Sequence, residues 1–149
     1  MTKKADFNAE EWAKVVEGPL LAGMHVISAH RGGTIRESLA MSKVYAQARQ
    51  QQGTSELLDE LVAAPPTMDP ARAQAARDNA VEGLREAVRV LEAKATLEEA
   101  NAFKGFVREV ANATARAHKE GGVLGIGGKE ISPEEQKALD EIEAVLRRE

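Results

Sequence analysis

The sequence predicts an all-α fold, a compact bundle of about six to seven helices, and three observations carry that prediction. Helix starts are legible as a capping residue followed three positions later by Glu, a pair that satisfies exposed backbone N–H groups reciprocally. The pattern occurs at Asn8 with Glu11, Thr34 with Glu37, Thr96 with Glu99 and Ser132 with Glu135. Between these starts apolar residues recur at helical spacing, and no segment alternates as a strand does. Aromatic residues make up only 3% of the chain, so the core must be filled by Ala, Leu, Val and Ile, which suits closely packed helices.

Each element follows from local signals. A first helix over 9–17 places Trp12, Val15 and Val16 on one stripe before Gly18 and Pro19 interrupt it. From Pro19 a second helix is apolar on all sides, through Leu20, Leu21, Met24, Val26 and Ile27, as expected of a central element. It ends with His30 and Arg31 before Gly32. A third runs over 35–51, and Thr54 or Ser55 starts a short one with Leu57, Leu58, Leu61 and Val62 on one face. Pro65 and Pro66 then make the strongest break in the chain. Asp69 and Pro70 open a long helix over 70–94, in which Val81, Leu84, Val88 and Leu91 form a seam. Phe103, Val107, Val110, Thr114 and Ala117 stripe the next helix, and Leu139, Ile142, Val145 and Leu146 the last. Residues 1–149 thus read as one helical domain, with possible halves 1–64 and 69–149 joined by the Pro-Pro turn.

Composition narrows the function classes. With no cysteine, disulfides, zinc–thiolate sites and Cys nucleophiles are excluded together. The net charge of −4 gives no electrostatic reason to expect nucleic acid. The most apolar run, 19–29, is too short to span a bilayer, and residues 1–11 contain no apolar export segment, so the expectation is a cytoplasmic protein.

The segment Gly121-Gly122-Val123-Leu124-Gly125-Ile126-Gly127-Gly128-Lys129 is the most distinctive. As a phosphate loop it fails at Val123 and at Glu130, where Gly and Ser or Thr are required. It reads instead as a connector whose Val123, Leu124, Ile126 and Lys129 either pack on the bundle or form a contact surface. The histidines His25, His30 and His118 invite a metal site, yet neither Glu-x-x-His nor His-Glu-x-x-His is present. His25, within an apolar helix, is expected to be a core histidine hydrogen-bonded to a neighbour. No catalytic set emerges, since Ser28 lies near His30 but in no Gly-x-Ser-x-Gly turn. Charge is uneven: residues 24–53 carry Arg31, Arg36, Lys43 and Arg49 against Glu37, whereas 130–149 hold seven acids and three bases. Those regions attract each other within the fold or between subunits.

Two stretches are alike, 29–33 and 117–122, each a helix end with His followed by glycines. Helix punctuation explains them, and so does a duplicated helix-loop-helix unit. Residues 111–146, with Ile131-Ser132-Pro133-Glu134-Glu135 after the glycine loop, resemble the tellurite-resistance TerB-like helical domains, as 25–45 do more faintly. That family carries the pattern twice, with Ala-Asp-Gly at the loop and acidic side chains placed to hold a metal ion. Here the loops have His30-Arg31-Gly32 and Lys119-Glu120-Gly121 instead. The resemblance implies a metal- or anion-binding domain using His30, His118, Glu120 and Glu130, with a divalent metal as cofactor. The first reading from the residues is a non-enzymatic interaction module that self-associates or docks a protein partner through an Ala-rich face or the glycine loop.

Overall fold

The computed structural model describes residues 6–28, 34–51, 56–63, 70–120 and 133–147, which form seven helices and no strand. The Asn8 and Glu11 pair caps α1 (Ala9–Ser28) as its spacing requires. The Glu11 amide donates to Asn8 Oδ1 at 2.8 Å, and the Asn8 amide donates to Glu11 Oε1 at 2.9 Å. The break expected at Gly18 and Pro19 does not occur, because α1 runs through both residues. Pro19 has no N–H for the Val15 carbonyl, a local cost that tertiary packing offsets. Gly18 lies so close to α5 and α6 that a Cβ on it would stand 2.9 Å from Phe103 Cζ and 3.2 Å from Ala87 Cβ.

The two predicted helices of this region are therefore one. The central position expected for its apolar half holds, since α1 touches α2, α4, α5, α6 and α7. α2 (Thr34–Gln50) lies along α6, and α3 (Glu56–Ala63) turns back on α2, burying Leu57, Leu61 and Val62. Arg49 Nη1 donates to the Val62 carbonyl at 3.1 Å, tying the end of α2 to the last turn of α3.

The long helix expected over 70–94 is divided at Asn79 into α4 (Pro70–Asp78) and α5 (Ala80–Lys94). Asn79 Nδ2 donates to the Ala75 carbonyl at 3.0 Å, and the residue adopts φ −121° and ψ 25°. Short amide side chains compete with the backbone in this way, which is why Asn is a poor helix-interior residue. The predicted seam survives the division, with Leu84, Val88 and Leu91 buried.

A second reciprocal cap, Thr96 with Glu99 at 2.9 and 3.1 Å, opens α6 (Leu97–Glu120). Its stripe of Phe103, Val107, Val110 and Thr114 has no exposed surface, and Thr114 satisfies its hydroxyl on the Val110 carbonyl at 2.7 Å. α7 (Pro133–Leu146) packs on α5, α6 and α1 through Ala138, Ile142, Val145 and Leu146. One buried apolar cluster takes residues from Phe7 to Leu146, on both sides of the Pro65–Pro66 segment.

The chain start is held by more than its cap. Lys94 Nζ donates to the Asp6 carbonyl at 2.9 Å and to Glu11 Oε1 at 2.7 Å, and lies 5.6 Å from the centre of the Phe7 ring. Phe7 in turn meets Trp12 at 5.7 Å between centroids. The lysine and the Asn8 amide hold the Glu11 carboxyl below its ordinary range.

Candidate functional site

His30, Val123, Leu124, Ile126, Lys129 and Glu130 lie outside the described residues, as do the side chains of His118 and Glu120. The described residues contain no group of three or more His, Asp or Glu side chains able to hold a metal ion. His25 departs from the core histidine expected of it. It is half-buried, Nε2 has no hydrogen-bond partner among the described residues, and Glu141 Oε1 stands 3.5 Å away across the α1–α7 contact. The acids of α7 are met from α6 as well. Arg108 makes a two-pronged pair with Glu143 at 2.8 and 2.9 Å, and this pair holds the Glu143 carboxyl below its usual value.

What the helices do build is a groove. α2 presents Leu39, Lys43, Ala46 and Gln47, and α6 presents Glu109, Ala113, Arg116 and Ala117. The two sets share one spacing, i, i+4, i+7 and i+8, which places each on a single face of its helix. Side by side, these faces enclose an open cavity of about 850 Å³.

The seam beneath is closed. Met41, Val44 and Tyr45 are buried, and the Tyr45 ring stands edge-on to Phe106 at 5.2 Å. Burial pushes the Tyr45 hydroxyl well above its ordinary pKa, and its oxygen is enclosed without a partner among the described residues. Four alanines, Ala40, Ala46, Ala113 and Ala117, stand among the lining residues and are too short to fill the gap, so the groove follows in part from side-chain size.

Leu39 and Leu97 are the large apolar side chains left exposed among the described residues, at 64% and 78%. A lone exposed leucine such as Leu97 needs no explanation. Leu39 differs because it lines a cavity. Among the described residues, Lys43, Arg49 and Arg116 stand along that cavity against one acid, Glu109, a net charge of +2 for this lining on a chain of net charge −4. The sequence reading pointed to an Ala-rich face without placing it. The signal was Leu39, which falls off the buried stripe of Met41, Val44 and Tyr45.

No protein-family model, curated protein or solved structure matches this chain. Among the described residues no helix is long and apolar enough to cross a membrane.

Proposed function

We propose that the chain is a helical docking module in which a short helical segment of a protein partner seats along the α2–α6 groove. The observation that carries this reading is an exposed leucine lining a cavity between two helix faces that also carry four alanines. Covering Leu39 would contribute up to about 1.5–3 kcal/mol, and alanines at 40, 113 and 117 let another helix approach closely. The lining spans residues 39–49 on α2, about 15 Å at 1.5 Å per residue, the length of roughly three helical turns. Laying an apolar helix stripe into such a groove is a common mode of peptide recognition.

A photo-crosslinking residue replacing Leu39 tests the reading in the full chain, with the same residue replacing exposed Glu134 on α7 as control. The expected result is an adduct with a defined protein at Leu39 only, lost when Ala113→Trp fills the groove. Equal adducts at both positions, or none, would overturn it. An adduct of twice the chain mass would replace the partner protein with a second copy.

A further inference from the structure

We propose that the groove selects an acidic amphipathic helix, one whose short aliphatic stripe is flanked by Asp or Glu on both sides. This deepens the docking reading and rests on it.

Lys14 faces Glu10 and Glu86, Arg85 pairs with Glu82, Lys94 with Glu11, Lys104 with Glu92, and Arg108 and Arg147 share Glu143. Of the described cations outside the groove, Arg89 and Lys137 alone have no ion pair with a described residue, and neither lines the cavity. Lys43 and Arg116 have no ion pair with any described residue, although Glu109 lines the same cavity. Among the described residues Arg49 is engaged only by the Val62 carbonyl, a neutral acceptor.

These cations come from both helices that line the cavity, Lys43 and Arg49 from α2 and Arg116 from α6, and Leu39, Ala40, Ala113 and Ala117 share the lining with them. A helix seated on Leu39, Ala40, Ala113 and Ala117 therefore meets positive charge on either side of its buried stripe. Glu109 stands two turns before Arg116 on the same rim, so an acid fits beside Arg116 and not beside Glu109, which gives the occupant a preferred direction. Exposed pairs of this kind contribute little affinity each, so the charges discriminate among helices and Leu39 holds them.

The test is selection from a displayed library of roughly 15-residue helices with a fixed Leu/Ala stripe and randomised flanks, panned on the full-length chain. The expected result is enrichment of Asp and Glu at both flanks. Lys43→Glu with Arg116→Glu, both exposed side chains, should weaken the selected helices roughly tenfold and shift a new selection to Lys and Arg. Circular dichroism of this variant verifies that the fold is kept. Enriched helices without acidic bias that are lost on Leu39→Glu would overturn the charge inference while leaving the docking reading intact. No enrichment, or helices indifferent to both variants, would overturn the two together. Displacement by inorganic phosphate without dependence on Leu39 would reduce the groove to a simple anion site and overturn the helix.

Discussion

The α1–α5 seam and the α2–α6 groove are both lined by small residues, yet one is closed and the other open. In the seam, Gly18 sits against Ala87 and Phe103, and a Cβ on Gly83 would reach within 2.7 Å of Leu21 Cδ1. Small residues there let two helices touch, and large side chains from a third element fill what remains. In the groove, Ala113 and Ala117 of α6 share the lining with Leu39, Ala40 and Lys43 of α2, and no third helix contributes to it among the described residues. The same residue class therefore means contact where a partner element is already supplied and vacancy where it is not.

The largest effect should come from the residue that fills the seam. Phe103→Ala removes a ring with no exposed surface that touches α1, and should cost about 3–5 kcal/mol in urea unfolding. Gly18→Leu attacks the same place from the other side. The added atoms meet a ring tip and an alanine on a packed helix, neither with room to withdraw, so a loss of about 1–3 kcal/mol is expected. If Gly18→Leu were neutral, α1 would not be held where Pro19 requires it to be held.

Local features should weigh less. Thr96→Ala removes one half of the α6 cap and should cost about 1 kcal/mol, read as a lower unfolding midpoint at unchanged slope. That cap was legible in the sequence because its two partners are three residues apart. So were the stripes of α5, α6 and α7, which need only helical periodicity.

Legibility failed wherever the deciding contact lay far along the chain. Gly18 and Pro19 read as a break because local propensity has no knowledge of Phe103 and Ala87. Asn79 does not stand out in the sequence because its amide reaching the Ala75 carbonyl is a choice between two local bonds, and periodicity alone does not decide it. The matching faces of α2 and α6 become a groove only once the fold sets residues 39–49 beside 109–117. The glycine loop and the histidines stand out as residue types, whereas the groove mixes alanines with ordinary surface residues such as Leu39, Lys43 and Arg116, which carry no distinctive signal until the fold brings them together.

The ion pair between α6 and α7 sharpens the comparison from a third side. Glu143 is held below its ordinary value of 4.5 chiefly by its hydrogen bonds with Arg108. A carboxylate with a lowered folded-state pKa adds stability that is fully present above the unfolded value and is lost as the pH falls through the folded one. Both side chains are partly exposed, at 41% and 32%, so the contribution should stay within about 1 kcal/mol. Glu143→Gln should therefore lower the melting temperature slightly at pH 7, and the gap to wild type should close as the pH falls below 4.5 and through the lowered folded-state value. A gap that persists at low pH would mean that the side chain acts by packing rather than by charge.

The smallest effect on stability should belong to Ala113→Leu, and it tests the comparison most directly. The substitution lengthens a side chain as Gly18→Leu does, again on a helix face turned toward a neighbouring helix. If the groove is open, the new side chain enters solvent-filled space and stability should change by no more than about 0.5 kcal/mol. A loss approaching that of Gly18→Leu would show that α2 and α6 close on each other there, leaving Leu39 with no groove to line. Small-to-large substitutions at the two positions thus separate a seam that the chain completes by itself from one that it leaves for another helix to complete.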